Sequence, residues 1–170
     1  RYYRKKGFVV GCEDEATFGL LPSVTRGWAR KGSRPTAPIN FQREYTNVFA
    51  TRTKRTLVYT FFKRKKQPQF VAHCRQVVAR FNKVALFVDN GPCHKGKLVE
   101  EFIRRHRKSF RLLRFPTYSP ELNPAEPCWK PGRKDLANRA LRTVAGVKYR
   151  LRKIFDDPKN MPKMYEYLSD

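Results

Sequence analysis

The sequence predicts an α/β domain, a β-sheet covered by helices. Two patterns lead there: five short apolar runs of strand length, and between or after them stretches whose apolar residues recur with helical spacing. At 170 residues the chain fits one domain with a real core and is too short for two comfortable ones.

Taken in order, Gly7–Cys12 (GFVVGC) is β-branched and aromatic, a buried strand expected to end at the acidic triplet Glu13, Asp14 and Glu15. Residues 20–44 are rich in Pro, Gly, Arg and Thr and read as a long basic loop anchored by Trp28. Tyr45–Ala50 and Thr56–Phe62, separated by the polar TRTKR, suggest a hairpin. From Pro68 to Phe81 the residues Phe70, Val71, Cys74, Val77, Val78 and Phe81 trace one face of a helix. Val84–Val88 is continuously apolar, as in the middle of a sheet covered on both sides, and delivers Asp89 at its C-terminal end. Leu98, Val99, Phe102 and Ile103 mark a second helix, and Phe110–Phe115 the next strand.

Asn123 followed by Pro124 reads as a helix start, Asn as N-cap and Pro in the first position, with Glu126 in the first turn. A helix over Val144–Phe155 is predicted with Thr143 as its cap and Val144, Val147, Leu151, Ile154 and Phe155 on one side. Met161, Met164, Tyr165 and Leu168 suggest a last short one.

Lys plus Arg number 38 against 14 Asp plus Glu, a net charge of +24 spread along the whole chain. Such a surface fits a polyanionic partner, although a ribosomal-type RNA binder or a basic surface with no specific partner fits it as well, and charge does not separate DNA from RNA. No apolar stretch approaches the roughly 18 residues that span a bilayer, and RYYRKKG at the start does not suit a signal peptide. The reading is a soluble intracellular protein without a membrane partner, in the cytoplasm or nucleoid of a prokaryote or the nucleus of a eukaryote. The chain begins with Arg, which reads as a piece of a longer protein. Cys12, Cys74, Cys93 and Cys128 form no CxxC pair and read as reduced, mostly buried thiols; the spacing does not support a zinc set drawn from His73, Cys74, Cys93 and His94.

Against this basic background the first 99 positions hold five acids, Glu13, Asp14, Glu15, Glu44 and Asp89. Asp14, Asp89 and Glu126 fall in separate elements, at predicted strand ends and a helix start, where α/β folds build their sites. Carboxylates are the hard oxygen ligands that hold Mg²⁺ or Mn²⁺, and two such ions about 3.5–4 Å apart can activate water and stabilise a pentacoordinate phosphorus. A small acidic patch inside a phosphate-binding surface would repel its own substrate unless metal ions neutralised it. Each acid also has a simpler reading: Asp89-Asn90-Gly91-Pro92 is a good turn, Glu126 suits a helix N-terminus, and residues 13–15 suit a solvated strand end.

The segments DEATF at 14–18, FVDNGPCHK at 87–95 and FPTYSPELNPAEPCW at 115–129 resemble the DDE transposases of the mariner superfamily, including their bacterial and archaeal insertion-sequence relatives. The last segment is the most specific. The resemblance implies a ribonuclease H-like fold, with a central mixed sheet of about five strands flanked by helices. It implies a single catalytic domain over 1–170 whose helix-turn-helix DNA-recognition region lies upstream.

By the same resemblance Asp14, Asp89 and Glu126 are the catalytic, metal-binding triad for two divalent cations, Mg²⁺ or Mn²⁺. Asn90 and His94 stand beside the second acid as groups that support it or touch DNA. Tyr118, Ser119, Pro120, Asn123 and Pro124 shape the loop that presents the glutamate, and Trp28 with Gly32 matches the family's tryptophan-glycine element. The activity implied is cleavage at transposon ends and transfer of the freed 3′-hydroxyl into target DNA, by a homodimer or larger synaptic assembly on double-stranded DNA. Two further readings remain: a domesticated or inactive DNA-binding relative, and another ribonuclease H-like nuclease such as a resolvase. Lys63, Arg64, Lys65 and Lys66, and Arg104, Arg105, Arg107 and Lys108, are the candidate phosphate contacts. Pro127, Pro131 and Gly132 depart from the pattern, and Pro131 is expected to kink or stop the helix after the glutamate.

Overall fold

The computed structural model describes residues 2–21, 23–36, 38–117 and 119–162. A short helix α1 (Tyr2–Lys5) precedes five strands, β1 (Val9–Gly19), β2 (Tyr45–Thr53), β3 (Leu57–Phe62), β4 (Val84–Val88) and β5 (Phe110–Arg114), in one sheet of order β3-β2-β1-β4-β5. β1, β2 and β3 form an antiparallel meander, and β4 and β5 join β1 in parallel, so the sheet is mixed, as expected. Helices α2 (Gln67–Phe81) and α3 (Lys97–Arg105) supply the crossovers, while α4 (Trp129–Leu136) and α5 (Val144–Phe155) follow β5. Among the described residues no helix is long and apolar enough to cross a membrane.

Apolar side chains alternate across the sheet and fill two cores. One face packs Phe49, Val84, Leu86, Val88 and Phe110 against Phe70, Cys74 and Val77 of α2 and Val99 and Phe102 of α3. The other packs Ala16, Phe18, Val48 and Ala50 against Trp129 of α4 and Val147, Leu151 and Phe155 of α5. β4, covered on both sides, is apolar throughout for this reason. The four cysteines are buried and unpaired, as the sequence suggested.

Several expectations are corrected. β1 does not end at the acidic triplet but runs on to Gly19, because β2 pairs with it all the way to Gly19↔Tyr45. Asp14 is therefore mid-strand. β2 likewise extends three residues past Ala50. The described part of 20–44 has no helix or strand, and Trp28 is fully exposed, so it anchors nothing among the described residues. The proposed last helix lies outside the described residues apart from Met161.

Pro131 neither kinks nor stops a helix. A 3-10 turn over Glu126–Cys128 leads directly into α4, whose third residue is Pro131. A helix's first amides have no intrahelical acceptor, so the missing N–H costs no hydrogen bond there. Gly132 is buried where α4 crosses α5: a Cβ on it would lie 2.8 Å from Leu151 Cδ2. Asp135 and Arg150 close the same crossing through two hydrogen bonds of 2.6 and 2.7 Å.

In β1, Gly11 makes a comparable close approach, since a Cβ there would meet Thr51 Cγ2 at 2.7 Å. Beneath the sheet, both ring nitrogens of the buried His73 are held by threonine hydroxyls, Nε2 by Thr51 at 2.9 Å and Nδ1 by Thr60 at 3.0 Å. It is therefore no part of a zinc set, and burial depresses its pKa to about 3. The unfolded chain takes up that proton near pH 6.5 and the folded chain does not, so the contribution is complete above about pH 6.5 and is lost as pH falls towards 3. Stability is expected to fall steadily as pH drops through this window from His73 alone. Urea unfolding at pH 7 and pH 5 checks it: His73→Gln should remove that part of the acid sensitivity.

Candidate active site

Strand alternation sends the three consecutive acids of β1 to two destinations. Asp14 points to the α4–α5 side, where Trp129 Nε1 donates to its Oδ2 at 2.6 Å. Glu13 and Glu15 point to the opposite side, towards His94. Asp89 stands just past the end of β4, and because β1 and β4 are parallel with Cys12 opposite Phe87, it comes level with Asp14. Glu126 arrives from the turn before α4. Asn123 positions that turn twice over: its Nδ2 donates to the Glu13 carbonyl at 3.2 Å and its Oδ1 accepts from the Ala125 amide at 3.1 Å.

Asp14, Asp89 and Glu126 line one cavity of about 370 Å³, together with Asn90, Gly91, Phe115, Pro116, Thr117, Ser119 and Asn123. The fold thus brings together all three predicted acids, and with them Asn90 and Asn123. Asn90 Nδ2 donates to the Phe115 carbonyl at 3.3 Å, tying the Asp89 turn to the end of β5. Tyr118 lies outside the described residues.

Electrostatics distinguish the acids. Burial, opposed by the Trp129 hydrogen bond and reinforced by the charges of Glu126 and Glu15, pushes Asp14 up to about pKa 7. Asp89, 58% exposed, is held below the usual carboxylate range, first by His94, whose Nδ1 lies 2.8 Å from its Oδ1. The Gly91 amide also donates to that oxygen at 2.7 Å. Arg114, whose Nη2 donates to the His94 carbonyl at 3.1 Å, adds positive charge nearby.

A buried carboxyl repelled by its neighbours, beside two more carboxylates in an open cavity, is a donor set that suits hard divalent cations. Among the described residues, Glu15, Cys93 and His94 are the three whose donor atoms all lie within 4.8 Å of one another; the cavity carboxylates are more widely spread.

The candidate phosphate contacts separate. All eight are exposed. Lys63–Lys66 follow β3 at the end of the sheet towards which Asp14 and Asp89 lie, and Asn47, hydrogen-bonded to Thr17 of β1, donates to the Lys63 carbonyl. Arg104 and Arg105 end α3, and Arg107 and Lys108 come next. Because α3 runs back between two parallel strands, this group sits at the opposite end of the sheet. Arg105 is also paired with Glu101.

Sequence reasoning missed Trp129 as a site residue, although its position three residues after Glu126 in a helical segment places both on one side of the chain. It also missed that Glu13, Glu15 and Cys93 gather around His94, which only the β1–β4 register brings about.

Comparison with known proteins agrees with this construction. The chain shares its fold with the Mos1 transposase paired-end complex with left transposon end (TM-score 0.71, 19% identity, 99% of this chain and 55% of that one). The Mos1 mariner paired-end complex with Mn gives 0.70 and 19%, over 94% of this chain and 53% of that one. The catalytic domain of Mos1 mariner transposase gives 0.63 and 18%, over 94% and 78%. The chain therefore spans about half the length of the complexed transposase chains, and their likeness establishes the ribonuclease H-like fold. No curated protein matches. The DDE superfamily endonuclease model matches residues 9–148, a segment that contains β1 with Asp14, β4 with Asp89 and the turn with Glu126. The chain belongs to the DDE superfamily of endonucleases.

Proposed function

We propose that this chain is the catalytic domain of a DNA transposase, cleaving phosphodiesters at the ends of a mobile element and joining the freed 3′-hydroxyl to target DNA. The observation that carries the reading is the convergence of Asp14, Asp89 and Glu126 on one cavity in a chain of net charge +24. The relatives of known structure, a transposase held on paired transposon ends and a complex with Mn, support the same assignment. DNA ends, target DNA and a dimeric or larger synaptic assembly are then the partners, inside the cell. A DNA-recognition region elsewhere in a longer protein completes the picture.

Asp14, Asp89 and Glu126, which line one cavity, would hold two divalent cations, Mg²⁺ or Mn²⁺. When bound, such ions lower the pKa of water and offset charge on the transferring phosphoryl group. The chain's own residues prepare the site. Trp129 fixes the orientation of Asp14, His94 and the Gly91 amide fix Asp89, and Asn123 ties the Glu126 turn to β1. Lys63–Lys66 offer phosphate contacts at the site end of the sheet. The inactive-relative reading rested on Pro131, and its place in the first turn of α4 removes that support.

The test is nicking of supercoiled plasmid by this chain with Mg²⁺ or Mn²⁺. Nicking that a chelator stops is the expected result; DNA binding with no nicking at any concentration of either ion would leave the inactive DNA-binding relative or a catalytic domain that works only with its DNA-recognition region. For binding, Lys63→Ala with Lys65→Ala should weaken all DNA sequences alike and lower the salt dependence by about two units of slope. Arg107→Ala with Lys108→Ala should have the smaller effect. Equal losses from both pairs would mean that DNA crosses the far end of the sheet as well.

A further inference from the structure

On the face of β1 away from Asp14, one imidazole nitrogen stands among two carboxyl groups and a thiol. His94 Nε2 lies 3.0 Å from Glu15 Oε1 and 3.1 Å from Glu13 Oε2, and Cys93 Sγ donates to Glu15 Oε1 at 2.8 Å. Neither carboxylate contact to Nε2 is aligned as a hydrogen bond, and both oxygens of the fully buried Glu13 side chain lack a hydrogen-bond donor. The ring is clamped from behind, its edge against Phe70 at a centroid distance of 4.6 Å and its Nδ1 on Asp89. Nδ1 donates to Asp89, and the same surroundings raise the His94 pKa, so a cation coordinates at Nε2 by displacing the ring's second proton.

We propose that Glu15, Cys93 and His94, with the Glu13 carboxylate beside them, bind one divalent cation of the zinc type at a site separate from the Asp14–Glu126 cavity. The donor set is thiolate, imidazole and carboxylate, which selects a borderline-soft ion over Mg²⁺. Tetrahedral zinc spaces such ligand atoms roughly 3.3–3.6 Å apart, and the three donor atoms, all within 4.8 Å of one another, reach that spacing by side-chain adjustments of less than about 1.5 Å. The Asp89–His94–cation arrangement is the carboxylate–histidine pattern that fixes a ligand's tautomer. Binding forms the sulfur, nitrogen and oxygen bonds to the ion and releases to solvent the Cys93 thiol proton and any proton on Nε2. The ion would neutralise Glu13 and Glu15 behind the site and hold the ring that orients Asp89.

This inference does not depend on DNA cleavage, and its test avoids it. In an Asp14→Asn/Glu126→Gln background, which weakens ion binding in the cavity, the demetallated chain is titrated with Zn²⁺ and, as a spectroscopic probe, Co²⁺. One equivalent of Zn²⁺ and a thiolate-to-cobalt charge-transfer absorption are expected. Cys93→Ser should abolish that absorption and weaken Zn²⁺ on the order of 100-fold, and Glu15→Gln should weaken it on the order of 10-fold or more. Absence of stoichiometric Zn²⁺ binding would overturn the proposal. So would a cobalt–thiolate absorption that survives Cys93→Ser, since it would come from Cys12, Cys74 or Cys128. Because Cys93→Ser and Glu15→Gln lie on different elements, misfolding of one variant leaves the other to decide.

Discussion

Asp89→Asn is expected to abolish metal-dependent nicking, by on the order of 10³-fold or more, while DNA binding is kept or tightened. The size follows from the several kcal/mol of charge stabilisation that a correctly held divalent ion contributes at phosphorus. An amide oxygen can still accept from His94 Nδ1 and from the Gly91 amide, so the local geometry survives while the ligand charge does not. Removing a negative charge from a surface that meets phosphate also lessens repulsion, hence the direction expected for binding. Asp14→Ala and Glu126→Ala should give the same loss of nicking, and plasmid assays of the three variants beside the parent, with gel-shift titrations, check both halves. Cleavage retained by Asp89→Asn would remove Asp89 from the mechanism; retained by all three, it would remove the cavity.

Trp129→Ala is expected to cost about 3–5 kcal/mol of stability, a large share of the roughly 5–15 kcal/mol typical of a domain. The indole is buried among Phe18 and Phe155, with ring centroids 6.1 and 5.9 Å away, and sits at the join between α4 and the sheet. Trp129→Phe separates packing from polarity: most of the ring remains, but the N–H to Asp14 is lost. Only the weaker backbone hydrogen bond from Glu15 then offsets burial and the Glu126 charge at Asp14, so its carboxyl holds its proton more tightly. The Mn²⁺ concentration needed for half-maximal nicking should rise about 10- to 100-fold, the usual cost of removing a group that orients a metal ligand. Unfolding curves and Mn²⁺ titrations read the two effects apart. An unchanged Mn²⁺ dependence in Trp129→Phe would show that the hydrogen bond orients nothing that matters.

What the sequence revealed depended on whether local rules decided the outcome. β4 was legible to the residue because a strand covered on both sides must be apolar throughout. α5 was legible for a similar reason: Thr143 caps it, its Oγ1 accepting from the Gly146 amide at 3.1 Å, and its apolar stripe matches the core. The triad's convergence was legible through its motif, each acid being attached to an element with a clear signature. The end of β1 was not, because Glu13, Asp14 and Glu15 look like a boundary until β2 is seen pairing beside them. Pro131 misled since its cost depends on which residue starts the helix. Trp28 misled because an aromatic residue in a basic loop suggests an anchor, and burial is settled by tertiary contacts that composition does not encode. The grouping around His94 is likewise non-local, joining β1 to the turn after β4.

Gly11 decides which of three interchangeable-looking acids reaches the cavity. A one-residue slip of β1 would leave the sequence just as acidic at that level of the sheet, but it would exchange the two faces and carry Glu13 or Glu15 to the position of Asp14. It would also put Val10 or Cys12 where only a residue without a Cβ clears Thr51. The steric gap therefore acts as a reading frame for the strand. Three acidic residues in a row can thus serve opposite sides of one sheet without ambiguity, and a single deletion in β1 would be more damaging than most substitutions there.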